Sequence, residues 1–224
     1  TSRWGVIFDV DGTMVDNHGF HQQAWIELGK RHQLPIDAEY YKNNIHSRDN
    51  IVIIARMREL FPDAPITQEM ADEKEAIYRE VYREKVAEMP GLLRFLGELQ
   101  QNAIPCVVAS NAPDANARLV LNGLGVTDQF IDVLTPNDRL PGKPAPDLFL
   151  AAAAAMNLPP RRCVVFEDSY SGFLAAEAAG IPCVAILHGA SSISLPYAEK
   201  ARARYRDFTE ITCEQLHKNV LQSK

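Results

Sequence analysis

The chain has 224 residues, enough for one large core or for one core with a smaller accessory domain. A formal net charge of -6 and the lack of any long basic run speak against a nucleic-acid partner, while 46% apolar and 23% charged residues are ordinary for a globular protein. No segment approaches 18 consecutive apolar residues, so no membrane span is expected, and the strand pattern WGVIF at the start leaves no signal peptide to expect.

The first predicted element is a strand over Gly5 to Phe8, which runs into Asp9, Asp11 and Asp16 around Gly12. Unpaired charge is costly to bury, so these carboxylates belong at a surface edge or around a cation. Residues 17–88 then carry only helix patterns: His18 to His32, a short piece near Ala38 to Asn43, Asp49 to Leu60, and Glu69 to Glu88, with a break at FPDAP. That interval is far too long for a simple crossover. It reads as an all-helical domain inserted after the first strand, with 1–16 and 89–224 forming the other domain.

From Gly91 onward helices and strands alternate. Helices are predicted over Gly91 to Asn102, Asn116 to Gly123, Ala145 to Met156 and Gly172 to Ala179, with Gly180 as the stop of the last. Strands are predicted over Pro105 to Ala109, Phe130 to Leu134, Cys163 to Phe166 and Cys183 to Ile186. The alternation implies an α/β fold with a doubly wound parallel sheet covered on both faces. The basic run ARARYRDF at 201–208 reads as a solvated helix end, and Lys74 and Lys85 as solvated members of charged helical runs. Cys106, Cys163, Cys183 and Cys213 lie far apart with no CxxC pair, so they read as reduced interior residues of a cytoplasmic protein.

Ligands of an open parallel sheet collect beyond the C-terminal strand ends. Here those ends carry Asp9 and Asp11, then Ser110 and Asn111, then the loop to Lys143, then Glu167, Asp168 and Ser169. Several carboxylates at one locus repel unless a cation compensates them, and oxygen-only ligands favour Mg2+. A carboxylate nucleophile, Mg2+ and a lysine are the parts needed for phosphoryl transfer through an aspartyl-phosphate. Asp9 and Asp11 are two apart in an extended segment and can face the same way, so one can attack while the other exchanges protons, with Gly12 turning the backbone behind them. Taken singly, each group has a plainer reading: DG as a turn, GKPAPD as a rigid loop, and FEDSYSG as a helix start capped by Ser169 or Ser171.

Together these motifs resemble the haloacid dehalogenase-like superfamily, in the branch of beta-phosphoglucomutase and the small sugar-phosphate phosphatases. DVDGT at 9–13 matches its first motif, Ser110 the second, Lys143 in GKPAPD the third, and Glu167-Asp168 the fourth. The resemblance implies a Rossmann-like core with a small helical cap that closes over the site. It makes Asp9 the nucleophile and Asp11 the general acid/base. Mg2+ would be held by Asp9, the Asp11 backbone carbonyl, Asp168 and, directly or through water, Glu167. Ser110, Asn111 and Lys143 would hold the phosphoryl group, while His21 matches the cap histidine that in the mutase assists gating of the acid/base and Arg48 the cap arginine that grips the substrate's non-reacting phosphate. Asp11 speaks against carbon–halogen hydrolysis, since the dehalogenases of the superfamily typically lack that second aspartate.

Departures from the mutase pattern favour hydrolysis. Asn44 stands where the mutase has a lysine, and Ala112, Pro113 and Asp114 replace residues that anchor a distal phosphate. The expected activity is therefore a phosphatase for a small phosphorylated metabolite, with a sugar phosphomutase as the alternative in the same chemistry and a non-catalytic binding protein outside it. The expected partner is the small-molecule substrate alone, with no nucleic acid or membrane, and a monomer is expected.

Overall fold

Strand β1 (Gly5–Phe8) is apolar at every position after its glycine and buried along its whole length, which places it in the interior of a sheet covered on both sides. The computed structural model describes residues 3–46, 48, 50–189 and 193–222. Within it the chain forms two compact units, Thr1–Asp16 with Val86–Lys224, and Asn17–Lys85.

The unit Asn17–Lys85 is helical. It contains α1 (His18–Arg31), α2 (Ala38–Tyr40) running on into a wider turn over Tyr41–Ile45, α3 (Asn50–Leu60) and α4 (Glu69–Tyr82). Asp49, expected to begin the third helix, lies outside the described residues. The Asp37 carboxylate caps α2 by accepting from the Tyr40 N–H at 2.7 Å. Helices α1 and α4 pack along each other, burying Ala24, Trp25 and Leu28 from one and Met70, Ala71, Ile77 and Tyr78 from the other. Alpha-helix gives way to a tighter turn at Arg83–Lys85, short of the expected end at Glu88.

The other unit is an α/β sandwich. After α5 (Leu92–Gln101) come β2 (Cys106–Ala109), α6 (Asp114–Leu124), β3 (Val133–Leu134), α7 (Asp147–Ala155), β4 (Cys163–Glu167), α8 (Tyr170–Ala179), β5 (Cys183–Ile186), α9 (Leu195–Ala198), β6 (Ala203–Tyr205) and α10 (Cys213–Leu216). The six strands are all parallel in the order β3-β2-β1-β4-β5-β6. Strand side chains alternate between two cores. On one face Ile7, Val107 and Val165 join Phe149, Ala152, Ala153 and Ala176 of the helices. The alanine-rich α7 and α8 thus lie close to the sheet. On the other, Phe8, Phe95, Phe130, Phe166 and Phe208 form an aromatic cluster in which Phe8 stacks on Phe166 at 5.3 Å.

Two sequence expectations fail here. The run ARARYRDF is not a solvated helix end: Ala203–Tyr205 is the edge strand β6, hydrogen-bonded to β5. Its residues alternate half-buried and exposed from Ala201 to Asp207, a period-two pattern, and the arginines on the open side suit an edge that must not pair further. The strand predicted over Phe130 to Leu134 shrinks to Val133–Leu134, although the Ile131 N–H still donates to the Cys106 carbonyl at 2.9 Å, and Phe130 joins the aromatic cluster.

The position of β1 decides where the site lies. After β1 the chain builds β2 and β3 on one side, then crosses to build β4 to β6 on the other, so the connections diverge at the C-terminal end of β1. Phe8 is level with Val108 of β2 and Phe166 of β4, and the next residues along those strands are Asp9, Ala109 and Glu167.

Candidate active site

The side chains that leave these strand ends meet in a buried acidic cluster. Asp9, Glu167 and Asp168 each offer a carboxylate oxygen, all within 4.8 Å of one another. Asp9 is held in line because its N–H donates to the Phe166 carbonyl at 3.1 Å. Behind it Gly12, with φ +77°, makes the turn that brings its N–H to the Val15 carbonyl at 2.9 Å. The Thr13 hydroxyl, fully buried, lies 3.1 Å from Asp168 Oδ1 and 3.4 Å from Asp9 Oδ2 and ties the first motif to the fourth.

Lys143 reaches in from the loop before α7. Its Nζ donates to Asp9 Oδ1 at 2.6 Å and to Glu167 Oε1 at 2.5 Å, and it stands 5.0 Å from the centre of the Phe149 ring. An ammonium has three N–H groups, so one is left for a ligand oxygen. Ser110, also buried, has its oxygen engaged by the Ala112 N–H at 3.1 Å, which leaves its O–H to donate elsewhere. Asn111 is placed beside this group with its amide bonded to the Lys143 backbone.

Glu167 is fully buried and its second oxygen is saturated. It accepts from the Asp168 N–H at 3.0 Å, the Ser169 N–H at 3.1 Å and the Ser169 hydroxyl at 3.0 Å. Ser169 also caps α8 by accepting from Gly172 N–H, so the plain helix-cap reading and the site reading of FEDSYSG both describe this serine. Gly172 is indispensable to the arrangement, because any Cβ there would overlap the Glu167 carboxylate.

The electrostatics show a shortage of positive charge. Burial pushes the Asp9 carboxyl up to about 6 against the pull of Lys143, with Asp168 and Asp11 adding to the rise. Burial, then the Asp9 charge, raises Glu167 too. Burial alone would lower Lys143, but the Asp9 and Glu167 carboxylates outweigh it and hold the ammonium charged. Three carboxylates facing one lysine form an all-oxygen donor set that fits a hard divalent cation. The Asp11 carboxylate is not part of this trio. The four cysteines are buried and free, and burial pushes the thiols of Cys106 and Cys163 up to about 12 and about 11, far from reactive thiolates.

The family of haloacid dehalogenase-like hydrolases matches residues 5–180, a span that contains Asp9, Asp11, Thr13, Ser110, Lys143, Glu167 and Asp168. The chain belongs to that family. As a haloacid dehalogenase-like hydrolase it is an enzyme of the phosphatase type, with the acidic cluster of Asp9, Glu167 and Asp168 as its candidate catalytic centre. Among curated relatives it is 30% identical over 223 residues to validoxylamine A 7'-phosphate phosphatase of Streptomyces hygroscopicus subsp. limoneus, covering 92% of this chain and 94% of that one. It is 28% identical over 219 residues to beta-phosphoglucomutase of Bacillus subtilis, covering 95% and 93%. Among solved structures, a family IA, variant 3 hydrolase of this type from Entamoeba histolytica superimposes with a TM-score of 0.81 at 24% identity, covering 95% of this chain and 97% of that one. Among the described residues no helix of the hydrolase is long and apolar enough to cross a membrane.

The remaining predicted site residues, His21 and Arg48, belong to the helical unit. Arg48 is exposed, its backbone N–H donating to the Ile45 carbonyl at 3.1 Å. His21 stacks face to face on Tyr78 at 4.0 Å, and its Nδ1 lies 2.9 Å from Lys74 Nζ. Lys74 was expected in solvent and is instead almost fully buried. Its ammonium pairs with the equally buried Glu75 at 2.9 Å, faces the Trp25 and Tyr78 rings, and Glu75 accepts from Asn50 at 2.8 Å. The sequence EKE gave no sign of this, because burial of a charged pair is decided by the helices packed around it. Thr13 and Gly172 were also missed, although both stand inside motifs that were read.

Proposed function

We propose that the enzyme is a Mg2+-dependent phosphatase for a small phosphorylated metabolite, in the first instance a sugar phosphate, working through an aspartyl-phosphate on Asp9. The observation that carries the reading is the buried Asp9 carboxylate set between Lys143 and the Glu167–Asp168 pair. Asp9 would attack phosphorus as the bond to the leaving oxygen breaks, and Asp11 would give that oxygen its proton. Asp11 would then take a proton from water as the water oxygen attacks the phosphoryl group, releasing inorganic phosphate and restoring the Asp9 carboxylate. Lys143 and the Ser110 hydroxyl would hold the phosphoryl oxygens through the N–H and O–H left uncommitted.

Asp9, Asp168, the Asp11 carbonyl and, through water, Glu167 would hold the Mg2+. When bound, the cation would neutralise the carboxylates and the phosphoryl oxygens together. Recognition of the rest of the substrate is assigned to the helical unit, through His21 and Arg48.

A phosphomutase is the second reading, and the identity to a beta-phosphoglucomutase supports keeping it. Against it stand Ala112, Pro113 and Asp114 after Ser110. Ala112 and Pro113 bring no side-chain donor, and Asp114, an acceptor paired with Arg118 at 2.8 Å, offers a second phosphate no hydrogen bond. A phosphate-release screen over sugar phosphates separates the two: hydrolysis yields inorganic phosphate, whereas a mutase interconverts hexose 1- and 6-phosphates without releasing it. No release from any phosphate ester would remove the phosphatase reading.

A further inference from the structure

We propose that Asn111 is a positioning residue whose side-chain amide fixes the backbone of Lys143, and that it contributes to turnover through that lysine. This rests on the phosphatase reading of Lys143. The observation is a reciprocal pair of hydrogen bonds between residues 32 positions apart: Asn111 Nδ2 donates to the Lys143 carbonyl at 2.9 Å, and the Lys143 N–H donates to Asn111 Oδ1 at 2.7 Å. Both ends of one amide therefore meet both polar backbone groups of one residue. The loop offers few substitutes nearby, since Pro144 follows and has no N–H.

The approach is close enough to dictate the preceding residue. A Cβ at position 142 would lie 2.8 Å from Asn111 Oδ1 and 3.0 Å from Pro136, so the loop needs Gly142 to come this near. The glycine of GKPAPD is thereby explained by the clamp and not by the phosphoryl group.

A lysine stem is long and loses much rotamer freedom when fixed. Here its tip must land between Asp9 and Glu167, with the side chain 2% exposed. Fixing the Cα from which the stem starts is the first requirement for that placement, and small displacements at a reacting centre cost rate steeply. Asn111 supplies the fix from the end of β2, the strand beside β1, so that Lys143 and Asp9 are referenced to the same sheet.

Two measurements on the full chain test this. In Asn111→Ala, hydrogen exchange at the Lys143 amide, followed by NMR, should speed up at least about tenfold relative to amides of the central strands. In a double-mutant cycle with Lys143→Ala, Asn111→Ala alone should lower kcat about 10- to 100-fold, and the double variant should match Lys143→Ala to within about twofold. Unchanged exchange at Lys143, or losses that multiply in the double variant, would overturn the proposal, since a residue touching the phosphoryl group on its own account would add its effect to that of Lys143. If Asn111→Ala fails to fold, Asn111→Asp serves for the kinetic cycle: it keeps the acceptor for the Lys143 N–H, so exchange at that amide should stay slow, but sets a carboxylate oxygen against the Lys143 carbonyl, so kcat should fall about 10- to 100-fold with no further loss when combined with Lys143→Ala. Faster exchange combined with normal turnover in Lys143→Ala would leave the clamp standing and sink the phosphatase role of the lysine.

Discussion

Lys74→Met should destabilise the enzyme strongly, although the substitution is far in sequence from every motif. Methionine keeps an unbranched stem of similar length beside Trp25 and Tyr78 but removes the ammonium that stands 2.9 Å from Glu75 Oε1. The side chains of Lys74 and Glu75 are only 4% and 8% exposed, so water cannot replace the lost partner. Removing one member of such a buried pair costs about 3–5 kcal/mol, because the other charge stays buried with its main opposite charge gone. For a chain of this size that is a fall in Tm of roughly 6–20 °C. Urea unfolding followed by tryptophan fluorescence reads the change, since Trp25 lies in the same helical core.

The double variant Lys74→Met/Glu75→Met should recover most of the loss, since a well-packed apolar pair avoids the desolvation of both charges. The pH dependence has a definite sign. Burial alone would raise Glu75, but Lys74, then His21 and the Asn50 hydrogen bond, hold its carboxyl below its ordinary 4.5. A carboxylate lowered in the folded state stabilises above its unfolded value and loses that contribution as pH falls through the folded value. In Lys74→Met the buried carboxyl accepts a proton more readily, so the gap between variant and parent should narrow as pH drops toward and below 4.5. A single variant within about 1 kcal/mol of the parent at neutral pH, or a double variant no more stable than the single one, would refute the reasoning.

Asp9→Asn should abolish phosphate release while the circular dichroism spectrum and Tm stay at or above those of the parent, because the substitution removes a buried charge and leaves the shape; turnover near normal would mean that another group attacks. Chelation by EDTA should stop turnover and Mg2+ should restore it. Apart from activity, Mg2+ at about 100 times its Kd should raise stability by about 2.7 kcal/mol, and Asp168→Asn should shrink that rise; an equal rise in the variant would remove Asp168 from the ligands. Gly172→Ala should displace the Glu167 carboxylate from Lys143 and lower both Tm and kcat, whereas alanine at Gly97 inside α5, where a Cβ meets nothing, should leave kcat unchanged and raise Tm slightly.

The sequence by itself determined the class of fold and the chemistry of the core site. Apolar runs such as VIF, CVVA and CVVF end in polar residues, and strands buried on both faces leave ligands only the strand ends, so Asp9, Ser110, Lys143, Glu167 and Asp168 could be grouped from one dimension. The same local reading failed wherever burial came from distant parts of the chain. ARARYRDF is basic enough to look solvated, yet β5 recruits three of its residues as an edge strand. Only the tertiary structure decided that Lys74 and Glu75 are interior, that Gly172 and Gly142 are set by the approach of Glu167 and Asn111, and that the Asn111 amide is spent on the Lys143 backbone. The physical reason is common to all of them. Periodicity records which face of an element is apolar, whereas the partner of a polar side chain is fixed by which elements the packed chain brings within hydrogen-bonding distance.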